Sequence, residues 1–181
     1  VLKVDLHKLI REEFAGMPVA VCANLPYYIT SPIIMSLLEA RLPIVSLTVM
    51  VQKEAAQRLC AAPGSREVGA VSIAVQYYSQ PQVLFQVSRG SFMPSPDVDS
   101  TVIRLDVRQQ PPVQLKREED FFRVVKAAFS QRRKTLPNTL SAGLAIPKQQ
   151  ALDLLERAGV ASNLRAEQLS MQQFADIANA L

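Results

Sequence analysis

Apolar positions along the chain follow two regimes. Up to about residue 107, short β-branched runs alternate with stretches of helical spacing, whereas beyond it the strand signals stop and only helical spacing remains. Gly16-Met17-Pro18 breaks the chain before an apolar run at Val19–Ala23, which predicts a strand. A helix start at Ser31-Pro32 is followed by Ile33, Ile34, Leu37 and Leu38 on one face, and Pro43 marks its end. Ile44–Val51 is β-branched with little alternation, as expected of a strand covered by helices on both faces. It runs into the helix formers Gln52–Leu59, and Pro63-Gly64-Ser65 stops that element. Gly69–Tyr78 has helical spacing at Val71, Ala74, Val75 and Tyr78, although its β-branched content leaves a strand open. Val83–Val87 and Thr101–Val107 predict two more strands. At the start, Val1–Leu6 reads as the tail of a strand or a loop and His7–Phe14 as a short helix or turn.

The second regime begins after Gln109-Gln110-Pro111-Pro112, a stiff linker. Glu118-Glu119-Asp120 puts acids at the start of a helix carrying Phe121, Phe122, Val125, Ala128 and Phe129. Pro147 opens another helix, with Leu152 and Leu155, which Gly159 stops; Ser170 caps a last one bearing Phe174, Ile177, Ala178 and Leu181. The pattern predicts an α/β domain over residues 1–107, a linker over 108–117 and a small all-α domain over 118–181. The first domain has the form of the second half of a doubly wound sheet closed by an antiparallel pair. None of the six glycines forms the close-set cluster that follows the first strand of a nucleoside-binding half. If the parent protein binds such a cofactor, the main pocket is expected upstream of Val1.

Composition narrows the classes. The chain has 181 residues, 49% hydrophobic and 20% charged, with no apolar run of membrane-spanning length and no signal peptide, so a cytoplasmic protein is expected. Two cysteines, Cys22 and Cys60, are too few for a disulfide framework and read as small hydrophobes within apolar stretches. A lone histidine, His7, supplies neither a His-based triad nor a multi-His metal site, and no metal is expected. Through Val107 there are nine basic and nine acidic residues; from Arg108 there are eleven and seven, so the whole net charge of +4 belongs to the helical part. A polyanion would be drawn there.

Three stretches carry candidate chemistry. Asn24-Leu25-Pro26-Tyr27 sits between a strand end and a helix start, where open α/β sheets keep their sites. Pro26 stiffens the bend; the Asn24 side-chain carbonyl and the Pro26 main-chain carbonyl are acceptors able to converge on one exocyclic amine, and Tyr27 offers a ring face. Holding an aromatic amine by its hydrogens turns its lone pair out of the ring plane, toward an electrophile. The plain alternative is a proline turn with rim tyrosines. Phe92, on the proline-stiffened loop Phe92-Met93-Pro94-Ser95-Pro96, is either a second plate for a base extruded from RNA or a plug at the sheet edge. Arg132-Arg133-Lys134 is either a phosphate-contacting patch or a solvated helix end.

Taken in order, Asn24-Leu25-Pro26-Tyr27-Tyr28-Ile29-Thr30, Gln52-Lys53-Glu54 with Arg58-Leu59, Gln76-Tyr77-Tyr78, Phe92–Ser100, Phe129–Leu136 and Leu164-Arg165-Ala166-Glu167 resemble the bacterial small-subunit ribosomal RNA adenine dimethyltransferases. The resemblance implies the second half of a Rossmann-like methyltransferase sheet plus a helical domain, S-adenosyl-L-methionine as cofactor, and dimethylation of N6 on two adjacent adenosines of a small-subunit rRNA hairpin. It further implies that Asn24 and Pro26 orient N6, that Tyr27 and Phe92 flank the adenine, and that Asn24 borders the cofactor. Leu25 belongs to the same catalytic corner, and Arg132, Arg133 and Lys134 meet RNA phosphates. The implied partner is an immature small ribosomal subunit, bound by a monomer. The family's glycine-rich motif and its ribose-binding acid lie upstream, so the 181 residues alone are expected to be inactive. Pro137 departs from the family pattern. Two other classes stay open: a large-subunit rRNA methyltransferase of the macrolide-resistance type, which shares the corner, and a non-catalytic ribosome-assembly or transcription factor of the same fold.

Overall fold

A computed structural model describes residues 4–181; of the strand tail or loop expected over Val1–Leu6, residues 1–3 lie outside them, and Val4 and Asp5 are loop leading into a helix that Leu6 opens. The chain clusters into two compact units, one holding the chain up to Cys60 together with Val75–Gln110, the other Ala61–Ala74 together with Pro111–Leu181. A single cut near residue 110 therefore does not describe the division. The segment Ala61–Ala74 groups with the helices because its backbone is bonded there: Gly64 N–H donates to the Glu167 carbonyl at 2.7 Å and the Arg66 carbonyl accepts from Arg132 at 2.9 Å.

The first unit is a four-stranded sheet of order β1-β2-β4-β3, with β1 at Val19–Asn24, β2 at Ile44–Gln52, β3 at Ser79–Val87 and β4 at Ser100–Val107. The first two strands are parallel and the last two join antiparallel, the predicted α/β arrangement. Helices α1 (Leu6–Phe14), α2 (Thr30–Glu39) and α3 (Lys53–Leu59) precede α4 (Ala70–Tyr78), which settles the helix-or-strand alternative for that segment as helix. Gly69 N–H, at the start of α4, donates to the Ser72 hydroxyl at 3.0 Å. Helix α2 starts two residues earlier than Ser31-Pro32 predicts, with Ile29 before it and Pro32 still in the first turn, where its missing N–H costs nothing.

Burial corrects one expectation about the sheet. Leu47, Val49 and Val51 are essentially inaccessible, as are Ile103 and Leu105 of β4, but Thr48, Met50 and Gln52 on the opposite face of β2 are only half-buried. That strand is sealed on one face through Leu47, Val49 and Val51, while on the other Ile44 and Ser46 are buried and the cover thins toward Gln52. Cys22, opposite Thr48 in the register, is exposed, so it is not the core hydrophobe its sequence context suggests. Cys60 is half-buried, and desolvation pushes its thiol up to about 11. Strand β3 begins four residues earlier than predicted and contains Pro81; as an edge strand it tolerates a residue with no N–H to give.

The second unit packs α5 (Glu118–Ala128), α6 (Leu136–Leu144), α7 (Lys148–Arg157) and α8 (Met171–Asn179) around Phe121, Phe174, Leu136, Leu140, Leu154 and Leu155, all below 2% exposed. Arg117, ahead of α5, pairs with Glu119 at 3.0 Å and Asp120 at 3.5 Å, anchoring the acidic first turn. Ser170 caps α8 and Gln173 returns the bond, a capping box. Gly143 lets α6 approach α5 so closely that a Cβ there would meet Ala127 atoms at 2.5 Å.

Candidate functional site

Strand β1 ends at Asn24, opposite Met50, and Leu25 N–H continues the ladder with a 3.2 Å bond to the Met50 carbonyl. The Leu25 side chain is buried, which pins the bend, while Asn24 is exposed and no described residue hydrogen-bonds its carboxamide. Tyr27–Ile29 then forms a single 3-10 turn leading into α2. So the corner does present a free side-chain acceptor at the carboxyl end of a parallel strand.

The Pro26 carbonyl is differently placed from the sequence expectation. It accepts from Ile29 N–H at 3.2 Å and from the Thr30 hydroxyl at 3.1 Å, so both of its lone pairs are committed to the turn. No described residue donates to the Leu25 carbonyl. The second acceptor open to a ligand beside Asn24 is therefore the Leu25 carbonyl, and Pro26 serves the bend. The sequence does not show that the Pro26 oxygen is taken, because Thr30 reaches it only once the 3-10 turn has formed.

Tyr27 is half-buried, with its hydroxyl 2.6 Å from that of Ser100, whereas Tyr28 is 85% exposed. Phe92 is half-buried at the start of the loop to β4, and Met93 beside it is fully exposed. The loop is fastened at its far end. Asp99 accepts Arg89 N–H on its carboxylate at 2.9 Å and Lys53 N–H on its carbonyl at 3.0 Å. Asn24, Leu25, Pro26, Tyr27 and Phe92 thus all belong to the sheet unit. His7 donates from Nε2 to the Ala40 carbonyl at 2.9 Å, tying α1 to the end of α2 and taking no part in the corner.

Arg132, Arg133 and Lys134 are exposed in the turn between α5 and α6, in the helical unit. Arg132 also lines a cleft of about 460 Å³ with Arg66 and Arg165, where Glu167 is the countercharge and Ser65 a hydroxyl buried without a described partner. The sequence does not mark Arg66 or Arg165 as a charge contact, because neither belongs to a charge run; they meet Arg132 only when 61–74 folds onto the helices. Pro137, the departure from the family pattern, is the second residue of α6 and leaves that helix intact, since the position has no intrahelical N–H bond to lose.

The family model described as ribosomal RNA adenine dimethylase matches residues 1–181. The ribosomal RNA small subunit methyltransferase A of Alkaliphilus oremlandii is 51% identical over 182 residues, covering 100% of this chain and 63% of its own length. That of Lachnoclostridium phytofermentans is 48% identical, covering 99% and 62%. The chain thus spans less than two thirds of the length of these curated relatives. Among solved structures, a dimethyladenosine transferase from Plasmodium falciparum superposes with a TM-score of 0.76 at 26% identity, over 89% of this chain and 66% of that one. The 23S rRNA methyltransferase ErmE gives 0.67 at 23% identity, over 100% and 80%, a likeness of fold.

Proposed function

Because the chain belongs to the ribosomal RNA adenine dimethylase family, we propose that the whole protein dimethylates N6 of two adjacent adenosines in small-subunit rRNA, acting as a monomer on an immature small subunit in the cytoplasm. The observation that carries the reading is the pair of uncommitted acceptors at Asn24 and Leu25 on a stiff strand end. In it the Asn24 side-chain oxygen and the Leu25 carbonyl accept the two hydrogens of the adenine amine. That fixes the lone pair out of the ring plane and supplies most of the rate by positioning, with no proton transfer needed from the protein in the displacement step. Tyr27 stacks on the extruded base and Phe92 bounds it from the loop, each stacked ring contributing about 1–3 kcal/mol.

S-adenosyl-L-methionine, when bound, supplies an electrophilic sulfonium methyl. Within this chain the free, exposed carboxamide of Asn24 fits one border of such a site, and no other residue is assigned to it. In the helical unit, Arg132, Arg133 and Lys134 hold RNA phosphates, with Arg66, Arg165 and the unpartnered Ser65 hydroxyl offering a further anion-binding cleft. The likeness to ErmE supports the large-subunit alternative in fold only, while the relatives at about 50% identity are named for the small subunit.

The test is methyl transfer by the full-length product of the gene to purified immature small and large subunits, read by mass spectrometry of the RNA. Dimethyladenosine at two neighbouring positions of the small-subunit RNA is expected. Modification of the large subunit instead would establish the alternative, and no transfer to either would favour the non-catalytic one.

A further inference from the structure

Tyr27 is a stacking plate in an awkward place. It belongs to a single 3-10 turn, without ladder bonds of its own, and it is only half-buried. A tyrosine held at its Cα alone rocks about two torsions, and ordering it at each encounter with a base costs affinity for the extruded state. In this structure the ring is held at both ends. Its hydroxyl lies 2.6 Å from that of Ser100, a short O–H···O bond between residues 73 apart in sequence.

Ser100 is well suited to anchor it. Its side chain is completely buried and it opens β4, a strand paired on both sides, with Ser100 opposite Gln52 of β2 and Val87 of β3. The neighbouring Asp99 carbonyl accepts from Lys53 N–H, and the Asp99 carboxylate accepts from Arg89 N–H. The Asp99-Ser100 joint therefore reaches in two directions, to the phenol of Tyr27 and to the base of the loop that carries Phe92. Moving it would change the orientation of one plate and the footing of the other together.

We propose that Ser100 is a positioning residue of the adenine slot, its hydroxyl fixing the plane of the Tyr27 ring so that a captured base is presented flat against it. This rests on the reading of Tyr27 as a stacking plate given above. Ser100 touches no substrate; it acts through Tyr27. RNA capture by the cationic turn of the helical unit is unaffected, so the effect falls on turnover.

The experiment uses the full-length gene product and steady-state methylation of small-subunit RNA, comparing wild type with Ser100→Ala, Ser100→Thr, Tyr27→Phe and the Tyr27→Phe/Ser100→Ala double variant. Ser100→Ala and Tyr27→Phe are each expected to lower kcat on the order of tenfold, the loss of one buried hydrogen bond, with KM for RNA unchanged. The double variant is expected to be no slower than the slower single variant, and Ser100→Thr to recover most of the rate. Wild-type kcat in Tyr27→Phe, additive losses in the double variant, or a loss confined to KM would overturn the proposal, and Tyr27→Phe decides it should Ser100→Ala fail to fold. A wild-type protein that transfers no methyl group removes the adenine slot itself and this inference with it, whereas an active wild type with an undiminished Ser100→Ala removes only the inference.

Discussion

The sheet unit and the helical unit of this chain bury their apolar residues in opposite styles. In the helical unit every long helix turns its stripe onto its neighbours, and side chains as large as Phe121 and Phe174 are sealed. The sheet unit seals one face, through Leu47, Val49, Val51, Ile103 and Leu105, and leaves the other partly open along Cys22, Thr48, Met50 and Val102. Ten of the eleven large apolar side chains exposed among the described residues lie in the sheet unit, so exposed apolar surface is a property of that unit rather than of the chain. The proposed chemistry sits at the end of the open unit and the proposed RNA grip on the closed one. A corner that must admit a base and a cofactor has to keep acceptors unpaired, whereas a grip on phosphates needs only a firm scaffold beneath exposed cations.

The sharpest way to break this contrast is at Asn24. Its side chain is exposed and bonded to nothing described, so Asn24→Ala is expected to leave stability within about 0.5 kcal/mol. Methyl transfer by the full-length product should fall on the order of 100-fold to 1,000-fold, as when one preorganised group at a reacting centre is lost. Equal melting curves with a collapsed rate would show that the open unit spends its unpaired groups on chemistry; an undiminished rate would remove the corner from the mechanism.

The two cysteines sharpen the same contrast within the sheet unit. Cys22 lies exposed on the open face, while burial raises the Cys60 thiol to about 11, two units above an ordinary thiol, which leaves about 100-fold less reactive thiolate at neutral pH. Alkylation at pH 8 followed by peptide mass spectrometry should modify Cys22 well before Cys60. The linkage has a definite sign. Between the ordinary thiol value and about 11 the unfolded chain has lost the Cys60 proton and the folded chain has kept it, so this group's contribution to stability falls as pH rises through that window and is neutral below it.

How much of this was readable from residues alone depends on the range of the interaction. The strands and the caps were legible because their causes are local: β-branched runs at Val19 and Ile44, Ser170 ahead of an apolar stripe, Pro147 opening α7. Helix α6 has no counterpart among the elements predicted from the sequence, and it holds both Pro137 and Gly143, residues of low helix propensity. In the fold one occupies the first turn and the other permits contact with Ala127, facts that depend on where α5 runs. The asparagine–tyrosine corner was legible as a motif, but the commitment of the Pro26 carbonyl, the bond from Tyr27 to Ser100 and the meeting of Arg66, Arg132 and Arg165 were not. Those rest on contacts that no spacing rule reports. The thinning of the cover over the second face of β2 is hidden for a related reason, since a half-buried apolar face and a fully buried one share a sequence pattern.

Close packing in the helical unit supplies a test on the other side of the contrast. A Cβ at Gly143 would meet Ala127 Cα and Cβ at 2.5 Å, so Gly143→Ala must push α5 and α6 apart, at about 1–3 kcal/mol for overpacking a well-filled contact. Thermal unfolding should drop by several degrees. Amide exchange should quicken through α5 and α6 and leave β2 and β4 unchanged.

The smallest effect is expected at Ala145, and its sign runs the other way. Ala145 ends α6 with φ of 56° and ψ of 44°, in the left-handed region where a Cβ crowds the backbone and glycine is the usual residue. Its N–H still closes the helix by donating to the Ser141 carbonyl, and the Ser141 hydroxyl returns a 2.6 Å bond to the Ile146 carbonyl, so the turn is held by its hydrogen bonds against its own strain. Ala145→Gly keeps those bonds and relieves the strain, but it also gives the unfolded chain more freedom to lose, which offsets part of the gain. The balance is a stabilisation of up to about 1 kcal/mol. A rise of a few degrees in the melting temperature, with methyl transfer unchanged, is the expected outcome. A fall would mean that the backbone relaxes around alanine, and that the closed unit carries less strain at its corners than these angles imply.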